Sequence, residues 1–165
     1  MNPTQNPMES FSGIHHASEM PEMEAFGDRA RFCLTGVQTE GRYTAFYLET
    51  PPGGGPPPHV HDREDEWFHV LEGRAEFFFH GEWKLAVAGD SVFAPRGALH
   101  AFRNVGDTVL RQLIHTAPSG FEHFFSEMAD LWKRDGGPVW DEIVVSSAKY
   151  GIHYPDPEGD SVPSS

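Results

Sequence analysis

Two histidine-bearing stretches decide the fold of this chain: GGGPPPHVHDREDEWFHVLEG at residues 53–73 and GDSVFAPRGALHAFRN at residues 89–104. In the first stretch, His59 and His61 stand two positions apart, and alternate residues of a β-strand point to the same face of a sheet. The two imidazoles are therefore predicted on one side of a sheet. Glycines at the ends of both stretches provide the positive φ angles that tight turns between strands need.

The sequence around these stretches is a series of short strand candidates separated by glycine turns. They are rich in aromatic and β-branched residues, and they are Arg42–Thr50, Trp67–Leu71, Arg74–Phe79, Lys84–Val87, Ser91–Ala94, His100–Asn104 and Val109–His115. Pro51–Pro58 contains only proline and glycine, which excludes a helix or a central strand there. Many short strands at regular spacing predict an all-β fold, an antiparallel sandwich or barrel.

The chain changes in character after these strands. Beyond Pro118-Ser119-Gly120, apolar residues recur at helical spacing up to Trp132, which predicts an amphipathic helix. A second, shorter helix is predicted over Asp141–Tyr150. We therefore divide the chain into an N-terminal arm (1–28), a β-barrel (29–117), a C-terminal helical segment (118–150) and a flexible tail (151–165).

Composition and charge exclude several classes of function. The 165 residues suit one domain, and the net charge is −13, with all 12 lysines and arginines inside residues 29–150. No basic stripe is available for phosphates, so we expect neither nucleic-acid binding nor attachment to an anionic membrane. No apolar run is long enough to span a bilayer, and no secretory signal is expected. Cys33 is the only cysteine, which predicts a reducing, cytoplasmic location.

Three histidines and one glutamate form the candidate site. Glu66 follows His61 by five residues and opens a strand, and His100 arrives on a later strand. Three imidazoles and one carboxylate suit a divalent Mn, Fe, Co, Ni or Zn ion and leave coordination positions open, as in catalytic centres. An isolated His-x-His pair is more often a surface feature, so the prediction depends on the wider spacing.

That wider spacing resembles the two motifs of the cupin superfamily. The first motif is matched at Gly53, His59, His61, Glu66 and Gly73, and the second at Gly89, Pro95, Gly97, His100 and Asn104. The segment GFEHFF at residues 120–125 is similar to the one that follows the barrel in small bacterial cupins related to quercetin 2,3-dioxygenase. The resemblance implies a double-stranded β-helix, or jelly roll, with helices packed against it.

The resemblance also selects the carboxylate and implies a chemistry. Glu66, rather than its neighbours Glu64 and Asp65, has the motif's spacing to Gly73, so we expect those two in a solvated turn. In the resembled family the metal site performs dioxygenolytic ring cleavage of a flavonol. Glu66 would then be both a metal ligand and a general base. Two alternatives stay open: an isomerase, cyclase or lyase using the same site, and a non-catalytic small-molecule binder.

Aromatic residues complete the predictions. We expect the side chains of five phenylalanines to form the pocket for a small-molecule substrate and O2: Phe46, Phe68, Phe102, Phe121 and Phe125. His69 is one step out of phase with Glu66 and should face away from the site. The run Phe77–Phe79 places apolar groups on both faces of one strand, so one face must be covered. We interpret this as the sign of a homodimer formed through the outer sheet.

Overall fold

The computed structural model describes residues 13–155 and has the all-β architecture that the sequence predicts. The strands of this part of the chain are β1 (Glu22–Ala25), β2 (Asp28–Leu34), β3 (Thr44–Thr50), β4 (Val60–His61), β5 (Asp65–Glu72), β6 (Arg74–Phe79), β7 (Glu82–Val87), β8 (Ser91–Ala94), β9 (Ala101–Asn104), β10 (Leu110–Ala117) and β11 (Ile152–His153). The helices are α1 (Gly36–Thr39), α2 (Phe121–Trp132) and α3 (Trp140–Lys149), and a 3-10 turn spans Ala17–Glu19. Within residues 13–155, no helix is long and apolar enough to cross a membrane.

The strands pair antiparallel in a jelly-roll arrangement. A six-stranded sheet has the order β1-β2-β3-β10-β5-β8, and a three-stranded sheet has the order β7-β6-β9. The short strands β4 and β11 pair with each other. In the larger sheet, Ile114 of β10 stands in register with Phe46 of β3 on one side and with Phe68 of β5 on the other. These three buried side chains line the inner face and confirm the double-stranded β-helix.

The core lies between the two sheets. Strand β5 alternates buried and more exposed residues, with Glu66, Phe68 and Val70 on the buried face. The ring of Phe68 meets two rings from the smaller sheet, Phe77 at 5.2 Å and Phe102 at 5.9 Å between centroids, in edge-to-face geometry. Aromatic pairs in this geometry add stability beyond the area that they bury. The inward phase of β5 thus places Glu66 inside the barrel.

The proline- and glycine-rich loop over residues 51–58 is tied to β9. The Gly53 N–H donates to the Asn104 carbonyl at 3.0 Å, and the Asn104 N–H donates to the Gly54 carbonyl at 2.9 Å. The Asn104 side-chain amide donates to the carbonyls of Thr50 and Thr108 at 2.9 and 2.8 Å. These bonds fix the loop immediately before His59. They join Gly53, the first residue of the first motif, to Asn104, the last residue of the second motif.

Helix α2 closes one end of the barrel. It starts after Gly120, whose φ of 134° favours glycine, and it buries Phe124, Phe125 and Met128. The carboxylate of Glu122, in its first turn, accepts hydrogen bonds from the Gly36 and Gly120 N–H groups at 2.7 and 3.0 Å and a short one from the Thr44 hydroxyl. The helix is therefore anchored to β3 and α1 rather than lying loosely on the surface.

Most predicted elements agree with the structure within two residues at either end, and the second helix is shifted by one residue. The sequence did not indicate β1, β2, α1 or β11, and it indicated β4 only through the two-residue spacing of His59 and His61. Within the segment expected to be an arm, residues 22–25 form β1, the edge strand next to β2, and residues 1–12 lie outside the described part. Within the segment expected to be a flexible tail, Ile152–His153 form β11, and residues 156–165 lie outside the described part.

Candidate metal centre

Four side chains from three segments converge inside the barrel. His59 immediately precedes β4 and His61 is the last residue of β4, Glu66 comes from β5, and His100 is the residue before β9. Each offers one nitrogen or oxygen, and these atoms all lie within 4.8 Å of one another. All four side chains are buried. The structure thus brings together the four residues for which the sequence predicts a shared site.

Main-chain contacts fix two of the rings. The segments of His59 and His100 bridge through a reciprocal pair of backbone hydrogen bonds of 2.9 and 3.0 Å. Each ring also pairs its Nδ1 with a carbonyl two residues earlier, His59 with Pro57 at 2.9 Å and His100 with Ala98 at 3.0 Å. Because a carbonyl only accepts, both Nδ1 atoms carry the hydrogen, and Nε2 is the ring nitrogen that each histidine has for an ion.

The electrostatics of the cluster suit a cation. A carboxylate oxygen of Glu66, Oε2, lies 2.9 Å from His100 Nε2 and 3.6 Å from His61 Nε2. Burial opposes charge on both members of the Glu66–His100 pair, but their mutual attraction outweighs it, so the pKa of Glu66 falls and that of His100 rises. Burial, followed by the neighbouring imidazoles, lowers the pKa of His59 to about 3, which keeps that ring neutral with a free lone pair.

Glu64 corrects one expectation from the sequence. It does not lie in a solvated turn, because only 6% of its surface is exposed and its Oε2 lies 3.4 Å from His61 Nδ1. Neither of those two atoms has a hydrogen-bond partner among the described residues. Asp65, by contrast, is half-buried and binds the Arg96 guanidinium and backbone N–H, both at 2.9 Å. The spacing of three residues between His61 and Glu64 is the sequence feature that could have indicated this contact.

A cavity opens beside the cluster. It holds about 60 Å³, and all five phenylalanines predicted for the pocket line it, together with His59, His61 and Glu66. Phe121, the first residue of α2, stacks on Phe46 at 5.2 Å and lies 5.9 Å from the His61 ring. Small-molecule pockets usually measure about 300 Å³ or more. A flavonol-sized ligand therefore requires side chains around the cavity to move.

The sequence missed several lining residues. They come from the two ends of the described chain and from the turn between β1 and β2, and include Phe26, Asp28, Ile152 and Tyr154. Tyr154 reaches within 6.2 Å of His59, between ring centroids, because β11 pairs with β4. The remaining strand histidines stay apart from the cluster: His69 pairs with the Ser91 hydroxyl at 3.0 Å, and His115 packs against Trp67 at 4.9 Å.

Comparison with known proteins supports this architecture. A model of the cupin domain family matches residues 46–115. Quercetin 2,3-dioxygenase of Bacillus subtilis (strain 168) is 25% identical over 141 residues, covering 80% of this chain and 42% of that protein. Polyketide synthase CurC of Streptomyces cyaneus is 36% identical over 67 residues, covering 41% of this chain and 44% of that protein.

A solved structure shows the same fold. A conserved protein with a double-stranded β-helix domain from Klebsiella pneumoniae subsp. pneumoniae MGH 78578 superposes with a TM-score of 0.54 at 22% identity, covering 67% of this chain and 93% of that one. Matches to curated relatives span 36–54% of those proteins' own lengths. Fold and cluster together define a small jelly-roll protein with residues that can hold a metal ion. In sequence and in fold, the chain is similar to proteins of the cupin superfamily.

Proposed function

We propose that this protein is a metal-dependent dioxygenase that acts on a flavonol-like or other enolisable small molecule. The observation that carries the proposal is the buried set of three imidazoles and one carboxylate at the wall of an aromatic cavity. His59, His61, Glu66 and His100 would hold one divalent ion, drawn from Fe, Mn, Ni, Co and Zn. The relationship to the quercetin 2,3-dioxygenase of Bacillus subtilis supports this reaction over others of the superfamily.

The bound ion would supply Lewis acidity toward a hydroxyl group and, if redox-active, electrons for O2. The protein's own residues supply the rest. The Glu66 carboxylate would accept the proton of the enolisable hydroxyl as the general base. The apolar rings of Phe46 and Phe121 line the cavity, where an aromatic substrate would pack against them while water is kept out.

Oxygen uptake by the metal-loaded protein tests the proposal. With flavonols and β-diketones as substrates, wild type should consume O2, and Glu66→Gln should keep much of its metal while losing about 10²–10⁴-fold in rate, the usual scale of general-base catalysis. His100→Ala should lose metal and activity together. Glu72→Gln, on the exposed end of the same strand, is the matched control and should behave as wild type.

Three results would contradict parts of this proposal. Full metal and full turnover in Glu66→Gln would remove the base role. Metal loss equal to the activity loss would leave Glu66 as a ligand only. Binding of these compounds by wild type without any turnover would leave a small-molecule binder.

The similarity to polyketide synthase CurC favours a second candidate. In that case the same cluster and ion would act only as a Lewis acid, in a cyclase, isomerase or lyase that polarises a carbonyl group of a polyketide-like substrate. Such an enzyme converts its substrate without consuming O2 and works equally well under anaerobic conditions. Product formation without O2 uptake would therefore select this candidate over the dioxygenase.

A further inference from the structure

Asp28 is a second carboxyl group in the wall of the metal-site cavity. It is the first residue of β2, only 6% of its surface is exposed, and it lines the same cavity as His61 and Glu66. By strand pairing, Asp28 lies at the Thr50 end of β3. Glu66 pairs with Thr116 of β10, and Thr116 pairs with Thr44 at the opposite end of β3. The two carboxyl groups therefore lie toward different ends of the cavity.

Nothing in the described part of the protein explains why a carboxyl group is buried here. Its Oδ1 atom has no hydrogen-bond partner among those residues. The neighbouring Arg29 points away and binds Glu49 on the exposed face of the sheet. Burial raises the pKa of Asp28 to about 7, against the opposing effect of the Thr50 hydroxyl. Burying a polar atom without a partner costs free energy, and such atoms in native proteins often mark functional positions.

The wall between the two carboxyl groups is apolar. Phe46 and Leu48 from β3 and Phe124 from α2 line it, and Glu66 and Asp28 are the only carboxyl groups among the described lining residues. Asp28 also borders an outer groove of about 540 Å³ between the β1–β2 turn and the end of α2. The rings of Phe26, which lines the cavity, and Trp132, which lines the groove, contact each other with centroids 4.4 Å apart and planes tilted by 49°. Asp28 is the residue that lines both the cavity and the groove.

We propose that Asp28 is a second polar anchor for the substrate, binding a hydroxyl group at the end of the molecule that is remote from the metal centre. The inference rests on the proposed function and narrows its substrate class. The substrate is a flat, mostly apolar molecule with an enolisable hydroxyketone at one end and a hydroxyl group at the other. A carboxyl group accepts a hydrogen bond from a hydroxyl in either protonation state, so the contact does not depend on the charge of Asp28.

Three matched flavonols test the anchor on the metal-loaded full-length protein: 3-hydroxyflavone, 3,4′-dihydroxyflavone and 3,7-dihydroxyflavone. All share the hydroxyketone, and the latter two add one hydroxyl at opposite ends of the ring system. Wild type should bind at least one dihydroxy compound about tenfold more tightly than 3-hydroxyflavone, the scale of one hydrogen bond to a carboxylate. Asp28→Leu should lose that preference and keep both its metal and its affinity for 3-hydroxyflavone. A preference that is absent in wild type, or that survives in Asp28→Leu, would overturn the proposal.

Thermal unfolding without ligand separates an anchor from a structural residue. Removing a buried, unpartnered carboxyl group should raise the Tm of Asp28→Leu by about 2–4 °C. The control Thr50→Val removes the neighbouring hydroxyl, which does not line the cavity, and should not reproduce the loss of preference. A Tm below that of wild type, or failure to fold, would make Asp28 structural and reject the anchor. If metal-loaded wild type binds none of the three flavonols, the proposed function fails, and this substrate class fails with it.

Discussion

At the scale of single residues, the three histidines of the cluster are held in different ways. His59 and His100 each bind a main-chain carbonyl through Nδ1, whereas His61 has the buried carboxylate of Glu64 at 3.4 Å. A carboxylate beside a metal-binding histidine fixes the ring orientation and increases its basicity. We therefore predict that Glu64 positions His61, from which it is separated by 3.4 Å without a hydrogen bond.

Neutralising Glu64 should weaken metal binding without removing a ligand. We expect Glu64→Gln to lower the affinity for Co²⁺ by about 10–100-fold, the range typical of such supporting carboxylates. Titration with Co²⁺, followed by its visible absorption, measures this directly. Asp65→Asn is the matched control, because Asp65 is adjacent but pairs with Arg96 outside the cluster. Equal affinities in Glu64→Gln and Asp65→Asn would show that Glu64 does not support His61.

The sequence predicted the convergence of the four cluster residues because strand periodicity and motif spacing carry that information. His59 and His61 share a face by the two-residue period, and Glu66 has the spacing that the motif requires. The same reasoning missed Glu64, because a polar residue in an acidic turn looks solvated until its burial is known. It missed Tyr154 because two-residue strands such as β11 carry no periodic signal and their pairing is long-range.

At the scale of elements, helix α2 owes its position to one buried side chain. Glu122 accepts hydrogen bonds from Gly36, Thr44 and Gly120, which belong to three different segments. Burial alone would raise the pKa of Glu122, but these donors outweigh it and lower the pKa below its ordinary value of 4.5. Because α2 presents Phe121 and Phe125 to the cavity, its anchoring matters for the site as well as for the fold.

Replacing Glu122 with glutamine should destabilise the fold in a pH-dependent way. The amide turns two donors toward N–H and O–H groups that need an acceptor, at a cost of about 2 kcal/mol in the free energy of unfolding. Since the folded-state pKa is depressed, the carboxylate's contribution is present above pH 4.5 and is lost as the pH falls through the folded-state pKa.

Urea unfolding of wild type and Glu122→Gln at several pH values measures that contribution. The difference between the two proteins should be largest near neutrality and should shrink as the pH falls below 4.5. Asp130→Asn removes an exposed carboxylate of the same helix, where it binds Lys133, and serves as the control for helix effects. A difference that is constant with pH would contradict the role assigned to the charged form of Glu122.

The predicted elements agree best with the structure where the spacing of apolar residues is strongly periodic. The helical spacing after Gly120 placed α2 at its observed bounds, and Arg74–Phe79 and Ser91–Ala94 match β6 and β8. The β1–β2 hairpin was not indicated, because the residues that it buries in β2 are the charged Asp28, the small Ala30 and the isolated Phe32 among arginines. Its position depends on packing against α2, and a local pattern does not contain that contact.

At the scale of the whole molecule, the outer face of the β7-β6-β9 sheet is the feature that a partner would cover. Trp83, Leu85 and Val87 alternate along β7 and are all exposed, Leu85 by 53%. Phe78 packs on Trp83 at 5.3 Å, and the Arg103 guanidinium lies 4.3 Å above the Trp83 ring. An apolar stripe rimmed by charged side chains is typical of an interface between protein chains.

We therefore predict that the protein is a homodimer formed through this face. Light scattering of wild type at micromolar concentration should give twice the chain mass of 18.4 kDa. Leu85→Asp should shift the protein to a monomer, because it places a charge at the centre of the interface. Val37→Asp adds the same charge to α1 at an apolar residue that is 89% exposed, and should leave the dimer intact. A wild type that is already monomeric would reject this prediction.

We expect one metal ion to bind to His59, His61, Glu66 and His100, and elemental analysis of the purified protein measures that ion. After exposure to Mn, Fe, Co, Ni and Zn and removal of excess, wild type should retain about one ion per chain. His61→Ala should retain far less, whereas His69→Ala, which changes a histidine outside the cluster, should match wild type. A wild type without bound metal, or a His61→Ala variant with the full amount, would contradict the account.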